Sequence, residues 1–374
     1  MGGTEHQATF QSAKPDSDTA GYKSYRLGTH RTVAPADTLA RVRPFMRDMG
    51  ITRIANVTGL DNIGIPVVMV CRPNSRSFAV SQGKGLRLEA AKVSGLMETV
   101  ETYHAEHITL PLKLGSCEDL YRTHRLIDIA ELPHTADSLF HSNLPMLWSE
   151  GQDLIQDSLV WLPYELVHAN YTLPLPPGSG CFTASTNGLA SGNHVLEAIN
   201  YGICEVVERH STTVWGQLDR AAQDRTRLDL STVDDPDCCD VLEKFERANI
   251  AVAVWETTTD VDIASFVCLI RGRQDESAQP AEGAGCHPTR HVALLRALTE
   301  AAQVRMTYIA GSRDDIKPDE YEPYARTKEL RDCRVWMDSH PSVRNFHEVP
   351  TYESETFEDD INWAKKRLEL AGIQ

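Results

Sequence analysis

The chain has 374 residues, of which 41% are hydrophobic and 24% are charged, a composition typical of a globular protein. Its formal net charge is −16, which argues against nonspecific binding of nucleic acid or of an anionic membrane surface. No run approaches the roughly 18 apolar residues that a transmembrane helix requires. We therefore expect neither a nucleic acid nor a membrane among its partners.

The N-terminal segment and the cysteines both indicate a cytoplasmic protein. Residues 1–20 lack the basic start and the apolar centre of a secretory signal, and their polar composition predicts a disordered lead-in. The nine cysteines are an odd number and include no CxxC pair. Neither a disulfide framework nor a structural zinc site is therefore expected, and the thiols should be mostly reduced.

Hydrophobic patterns predict a series of strands and long helices. Residues 51–73 hold two β-type runs, RIANVT and IPVVMV, around a turn, which indicates a hairpin. Another strand, within 75–85, ends at the glycine-bracketed Lys84. The further predictions, in chain order, are a long helix over 86–107, short elements over 117–180, a long helix over 192–215, a helix and a strand over 240–256, a strand over 265–272, an acidic loop over 274–285, a long helix over 291–311 and an amphipathic C-terminal helix. Strands in hairpin-like groups favour an α+β fold with antiparallel sheets.

The first long helix carries a polar stripe. Ser94, Glu98 and Glu101 are spaced i, i+4 and i+7, which places them on one helical face. Glutamates at this spacing repel each other, and more strongly when they are buried. The stripe indicates either a solvated acidic face or a site where a cation such as a metal ion covers the carboxylates. Glu89 and Glu106 lie off the stripe, and we expect both to tolerate alanine.

The second long helix repeats this arrangement. Glu197, Glu205 and Glu208 have offsets of 0, 8 and 11 and share one face, with Arg209 beside it. Asn193 lies four residues before Glu197, where a short polar side chain can cap the helix. The remaining residues are largely apolar, so we expect a buried helix whose glutamates have partners.

The third long helix adds basic groups. Arg296, Glu300 and Gln303 are again spaced i, i+4 and i+7, and Arg305 follows. Ordinary Glu–Arg ion pairs between three packed helices are one explanation. They account less well for an excess of acid on two buried stripes.

Packing of the three helices would bring carboxylates and guanidinium groups together. Carboxylates are the hard oxygen ligands that Mg²⁺ takes, often alongside phosphates, and arginines suit bidentate contact with phosphate. Neutral hydrogen bonds would come from Ser94 and Asn193. The sequence has no Walker A and no GxGxxG motif. These residues therefore predict a magnesium nucleotide site that uses no P-loop.

Three blocks of the sequence resemble the signature blocks of the YcaO family. They read SQGKGLRLEAAKVSGLMETVETYHAE, STNGLASGNHVLEAINYGICEVVERH and GAGCHPTRHVALLRALTEAAQVR. The resemblance runs from about residue 22 to the end, and it implies a single YcaO catalytic domain over 21–374 with the family's own fold. Family members usually continue past LELAGIQ, so the resemblance also implies a truncated C-terminus.

The resemblance implies ATP and Mg²⁺ as cofactors and assigns roles to individual residues. The Mg²⁺ roles, which are also the catalytic ones, fall on Glu98, Glu101, Glu205 and Glu208. Nucleotide contacts fall on Ser94, Asn193, Glu197 and Arg209. An arginine of the third block contacts phosphate, with Arg305 and Arg296 as candidates, and Lys84 and Arg31 are further candidates for the same pocket.

YcaO proteins activate a backbone amide of a ribosomally made peptide. A nucleophile adds to the amide carbonyl, ATP phosphorylates the resulting oxygen, and phosphate leaves. The product is a thioamide with sulfide, an azoline with a Cys, Ser or Thr side chain, and an amidine with an amine. The stretch GIPVVMVCRPNSRSFAVSQGKG resembles members that work with a TfuA-like partner in thioamidation. We therefore rank thioamide formation before azoline or amidine formation.

Other functions use the same residues. A non-catalytic scaffold that binds a leader peptide is one alternative, although the complete set of motif glutamates with Asn193 and Arg209 argues against it. A free-standing ATPase or a sulfur-transfer accessory protein would share the site. The resemblance further implies a homodimer, a precursor peptide as substrate, and a TfuA-like or leader-binding partner protein.

Overall fold

Three antiparallel sheets carry the long helices. The computed structural model describes residues 21–274, 280–313, 316, 327–339 and 342–373. Within these ranges each sheet consists of three strands that are consecutive in the chain. The strands are β1 Arg53–Asn56, β2 Val67–Cys71 and β3 Val80–Lys84, then β4 Leu112–Gly115, β5 Met146–Asp153 and β6 Ser158–Pro163, then β7 Ile250–Glu256, β8 Ser265–Gly272 and β9 Ala281–Cys286. The predicted α+β fold with antiparallel sheets is confirmed.

The three long helices lie where the sequence predicts them, within about three residues at each end. The helices of the described residues are α1 Pro35–Val42, α2 Leu88–Glu106, α3 Cys117–Tyr121, α4 Val195–Gly216, α5 Arg220–Asp224, α6 Pro236–Arg247, α7 Arg290–Ala310, α8 Thr327–Ser339 and α9 Phe357–Leu370. In this part of the chain, no helix combines the length and the apolar character needed to cross a membrane. The predicted lead-in over 1–20 lies outside the described residues.

The predicted hairpin at 51–73 is present as strands β1 and β2. They pair antiparallel, with Arg53 opposite Cys71, and β3 continues the sheet with Val67 opposite Lys84. The predicted loop over 274–285 is partly wrong, because its last five residues, 281–285, belong to β9, which pairs with β8. Residues 275–279 of that stretch lie outside the described part of the chain.

Glycines explain both the missed strand and the placement of two long helices. A Cβ on Gly283 of β9 would lie 2.2 Å from the backbone nitrogen of Ala301 in α7. A Cβ on Gly83 of β3 would lie 2.1 Å from the backbone oxygen of Ala91 in α2. Only glycine permits such close approach of helix and strand. The same glycines give β9 the composition of a loop, which is why the sequence pattern misses it.

Helix α4 is buried on one face only. Glu197 and Glu208 are almost fully buried, whereas Val195 and Val206 are 63% and 50% exposed. The prediction of a buried helix is therefore wrong for the face that carries these two valines. On its buried side α4 packs against α9, which contributes Ala364 to a shared apolar cluster.

The two ends of the described chain meet beside α4. The ammonium group of Lys23 lies 2.6 Å from Asp360 of α9, and both side chains are fully buried. The backbone nitrogen of Phe357 donates to the backbone oxygen of Gly21. These contacts fix the N-terminal segment, which continues directly into residues that line a large cavity.

Candidate active site

A cavity of about 660 Å³ lies between α2, α4, α7 and β3. This volume is in the range of small-molecule and cofactor sites. The N-terminal segment around Arg31 and the loop before α4 complete its walls. Eleven of the twelve residues that the sequence predicts for the site line this cavity: Arg31, Lys84, Ser94, Glu98, Glu101, Asn193, Glu197, Glu205, Glu208, Arg209 and Arg296.

Arg305 is the predicted site residue that the structure places elsewhere. Its Nε atom donates to Oδ2 of Asp61 at 2.8 Å, on the side of α7 away from the cavity. Nine residues separate it from Arg296, which is two and a half helical turns, so the two side chains point in opposite directions. Of the two arginines proposed for phosphate contact, only Arg296 reaches the cavity.

The two glutamates of α2 are held close to other carboxylates. Burial raises the pKa of Glu98 to about 7, and the neighbouring charge of Glu101 adds to the shift. Burial also raises the pKa of Glu101 to about 7, with a contribution from Glu205 of α4. Oε1 of Glu101 accepts hydrogen bonds from the backbone and the hydroxyl of Ser191, at 3.0 and 2.7 Å. This side of the cavity therefore carries more negative charge than its own donors neutralise.

Glu205 and Glu208 of α4, together with the two glutamates of α2, form what we call the carboxylate cluster. Oε2 of Glu205 accepts from the backbone nitrogen of Gly188 at 2.9 Å. Oε2 of Glu208 accepts from the backbone nitrogen of Cys286 at 3.0 Å, and Arg296 lies 3.8 Å away. Burial raises the pKa of Glu208 as well. Backbone hydrogen bonds thus fix both side chains while they face the cavity.

These observations distinguish the two explanations of the acidic stripes. The four carboxylates do not form a solvated face, because they line one cavity and are buried or half-buried. Ion pairs do occur, but the raised pKa values of Glu98, Glu101 and Glu208 show that nearby cations do not balance the burial of the carboxylates. Oxygen ligands with excess negative charge are the donor set that suits Mg²⁺. The four carboxylates therefore supply the type of donor that a divalent cation takes, spread over the cavity walls, since among the described residues no three of them have their oxygens within 4.8 Å of one another.

Basic groups occupy the neighbouring walls of the same cavity. Nζ of Lys84, at the end of β3, lies 2.5 Å from Oε2 of Glu300 in α7. Burial alone would raise the pKa of Glu300, but Lys84 and then Arg296 hold it below its usual range. Arg209 lies at the solvent side, 3.6 Å from Glu205. Lys84, Arg209 and Arg296 thus place positive charge close to the carboxylate cluster, an arrangement that suits a metal-bound polyphosphate.

The start of α4 differs from the sequence prediction. The residue that caps the helix is His194, whose ring accepts from the backbone nitrogen of Leu196, and not Asn193. Oδ1 of Asn193 instead accepts from the hydroxyl of Thr38 at 2.9 Å. Its side chain is therefore held at the cavity wall by α1, where it remains a candidate for nucleotide contact.

Sequence reasoning leaves out several residues of the cavity. Glu300 lies on the third stripe, and its spacing from Arg296 is the signal that could have identified it. Ser191, which donates to Glu101, carries no periodic signal because it lies in a loop. The same is true of Thr32, which follows the cavity-lining Arg31 and donates twice to Oε2 of Glu197. Tyr201 follows Glu197 by four residues and lines the cavity, but an aromatic residue in an apolar helix gives no functional indication.

Fold and cavity together define a class of protein with a carboxylate-lined site on helices instead of a P-loop. The family model described as "YcaO cyclodehydratase, ATP-ad Mg2+-binding" matches residues 82–374. The chain belongs to the YcaO family. The predicted cofactors, ATP and Mg²⁺, agree with this description.

Curated relatives extend the match to most of the chain. A protein from Rhizobium leguminosarum bv. trifolii, described as an uncharacterized protein in the tfuA 3′ region, is 35% identical over 367 residues, which is 95% of this chain and 84% of the relative. An uncharacterized protein from Methanothermobacter thermautotrophicus is 29% identical over 92% of this chain and 88% of its own length. The similarity thus also includes the N-terminal residues that precede the family match.

Solved structures show the same fold. The YcaO protein from Methanopyrus kandleri, bound with AMPPCP and Mg²⁺, superposes with a TM-score of 0.73 at 22% identity and covers 94% of this chain and 87% of that chain. A heterocyclase in complex with substrate and cofactor has a TM-score of 0.76 at 21% identity. That match covers 92% of this chain and 49% of the heterocyclase, so this chain spans about half the length of that protein.

Proposed function

We propose that this protein uses ATP to phosphorylate a backbone amide oxygen of a ribosomally made peptide, and that its product is a thioamide. The observation that carries the ATP-dependent step is the cavity, which is lined by the four glutamates together with Arg31, Lys84, Arg209 and Arg296. An amide is a poor electrophile because resonance occupies its carbonyl group. Converting the oxygen into phosphate after sulfide has added to the carbon provides a leaving group.

In this proposal, different residues of the cavity bind Mg²⁺, the phosphates and the rest of the nucleotide. Glu98, Glu101, Glu205 and Glu208 would hold Mg²⁺ through their carboxylate oxygens. Arg31, Lys84, Arg209 and Arg296 would contact the phosphates, and Ser94, Asn193 and Glu197 would orient the nucleotide. ATP would supply the phosphoryl group, and Mg²⁺ with the basic side chains would neutralise the negative charge on it. In this scheme the protein contributes position and charge, and no side-chain nucleophile is required.

The thioamide product is supported by the relative in the tfuA 3′ region, which shares 35% identity with this chain. We infer that a TfuA-like protein is the partner, which delivers sulfur or the peptide. The likeness to a heterocyclase keeps azoline formation as a second candidate. That likeness is below 25% identity and supports the shared fold rather than the reaction.

Mass spectrometry tests the proposal. The purified protein is incubated with a peptide encoded near its gene, Mg-ATP, sulfide and the TfuA-like neighbour. We expect a gain of about 16 mass units, the exchange of oxygen for sulfur in one amide. A loss of about 18 mass units, one water from the same amide, would contradict thioamidation and support azoline or amidine formation. Glu205→Gln serves as the control, and it should leave the peptide unmodified.

A further inference from the structure

We propose that Tyr201 is a positioning residue of the nucleotide site, which orders Arg31 and Arg296 for contact with phosphate. The inference rests on the proposed function, because it assigns these two arginines to the nucleotide. Tyr201 lies in α4, whereas Arg31 belongs to the N-terminal segment and Arg296 to α7. One aromatic ring therefore connects three separate parts of the chain at the cavity.

The ring of Tyr201 faces both guanidinium groups. The Cζ atom of Arg31 lies 4.0 Å from the ring centroid, and that of Arg296 lies 5.7 Å from it. Both distances are within the range of cation–π attraction. Two guanidinium groups at one site repel each other, and the electron-rich ring offsets part of that repulsion. The ring thus allows two cations to share a small volume.

Each arginine also lies near a glutamate. Arg31 lies 3.4 Å from Glu197, and Arg296 lies 3.8 Å from Glu208, so neither forms a short bidentate pair. Nε of Arg296 is buried and makes no hydrogen bond within the described part of the chain, and Nη1 of Arg31, the atom that faces Glu197 at 3.4 Å, forms no hydrogen bond either. Buried donors of this kind indicate a missing acceptor. A phosphate group in the cavity would supply it.

The hydroxyl group of Tyr201 fixes the segment that carries Arg31. It donates to the backbone oxygen of His30 at 2.6 Å and lies 2.8 Å from the hydroxyl of Thr29. One helical turn earlier, Glu197 accepts from the backbone and the hydroxyl of Thr32, at 3.0 and 2.9 Å. Residues 29–32 are therefore bound to α4 at two points, one on each side of Arg31.

A purely structural tyrosine would behave differently. Its ring also packs near Phe357, with centroids 6.3 Å apart, so replacement of either residue should reduce stability. Only the positioning role predicts that Tyr201 acts on nucleotide affinity through Arg31. Phe357 is fully buried and has no contact with either arginine among the interactions of the described residues, which makes Phe357→Leu the matched control.

The test is a double-mutant cycle on the affinity for a Mg²⁺-bound non-hydrolysable ATP analogue, measured by calorimetry on the full chain. We expect Tyr201→Leu to weaken binding about tenfold, the effect of losing cation–π contacts that are shielded from water. Tyr201→Phe, which keeps the ring and loses the hydroxyl, should weaken binding about threefold. In an Arg31→Ala background Tyr201→Phe should have little further effect, because the hydroxyl group acts on the segment that carries Arg31. Tyr201→Leu should keep only the smaller part of its effect that acts through Arg296, and Phe357→Leu should leave affinity unchanged.

The outcomes separate this inference from the proposed function. Wild-type affinity in both Tyr201 variants would overturn the positioning role alone, as would losses that simply add to that of Arg31→Ala. If Tyr201→Leu does not fold, the cycle between Tyr201→Phe and Arg31→Ala decides the question in the same way. Wild-type protein that fails to bind the analogue would overturn both the positioning role and the proposed function.

Discussion

At the scale of single residues, the carboxylate cluster is the feature that relates function to stability. Glu98 and Glu101 face a cavity in which burial and like charge raise the pKa of both carboxyl groups to about 7. Such a group destabilises the protein when it is ionised and nothing positive lies next to it. Binding of a cation beside the ionised carboxylates should therefore stabilise the folded protein.

Glu98→Gln should therefore stabilise the protein in the absence of ligand and abolish its stabilisation by Mg-ATP. Removing one buried charge at pH 8 should raise the free energy of unfolding by about 1 kcal/mol. Thermal unfolding with and without Mg-ATP measures both effects. The control is Glu89→Gln, an exposed residue on the same helix, which should behave as wild type. Equal stabilisation of Glu98→Gln and wild type by Mg-ATP would contradict the assignment.

His30 provides a pH-dependent contribution to stability. Burial lowers its pKa to about 3, and the nearby positive charges of Lys23 and Arg26 add to the shift. In the unfolded chain the pKa is about 6.5. Above pH 6.5 both states are neutral, whereas below it only the unfolded state gains a proton, so stability falls as the pH decreases from 6.5 towards 3.

The expected loss from His30 is at most about 1.4 kcal/mol per pH unit in this window. Urea unfolding at pH 7.5, 6.5 and 5.5 measures it by comparing wild type with His30→Gln, which should lose less stability on acidification. His104→Gln, at an exposed histidine of α2, should follow the wild-type dependence. Parallel pH profiles for wild type and His30→Gln would contradict the account.

At the scale of elements, periodicity predicts a helical face but not what lies against it. The stripes on α2 and α4 were sufficient to group four glutamates, because residues at i, i+4 and i+7 share a face whatever the surroundings. The same rule places Arg296 and Arg305 on opposite faces of α7. The sequence pattern does not predict strand β9, because its glycines are needed for close contact with α7 and give the segment the composition of a loop.

Glu106 is a second residue whose partner cannot be predicted from helical periodicity. It lies off the acidic stripe, and the sequence gives no reason to expect that alanine would harm the protein there. In the structure Arg72, which follows β2, donates to both carboxylate oxygens at 2.6 and 2.7 Å. Burial alone would raise the pKa of Glu106, but hydrogen bonds from Arg72, Ser77 and Ser75 hold it at about 2. The pair joins the first sheet to the last turn of α2.

Glu106→Ala should therefore destabilise the protein by about 3–5 kcal/mol, because it leaves the buried charge of Arg72 without its partner. The effect should be absent from Glu89→Ala, whose side chain is exposed on the same helix. Chemical denaturation of both variants measures the difference. A free energy of unfolding for Glu106→Ala within about 0.5 kcal/mol of wild type would contradict the role of this ion pair.

At the scale of the whole molecule, the site depends on contacts between distant parts of the chain. The N-terminal segment reaches α9 through Lys23 and Asp360 and then continues to Arg31 at the cavity. No local pattern predicts such contacts, since they join residues more than 300 positions apart. Local patterns predict an α+β fold and a magnesium nucleotide site, and the family resemblance adds the particular fold and the role of each residue. A single domain over 21–374 and a homodimer remain predictions.

The central claim is that ATP phosphorylates the amide oxygen of a peptide. The most direct test uses a substrate peptide whose target amide carries ¹⁸O at the carbonyl, incubated with the protein, the proposed TfuA-like partner, sulfide and Mg-ATP. The account predicts that the released inorganic phosphate contains one ¹⁸O atom for each thioamide formed. Unlabelled phosphate, with the ¹⁸O retained in the peptide or released as water, would contradict it.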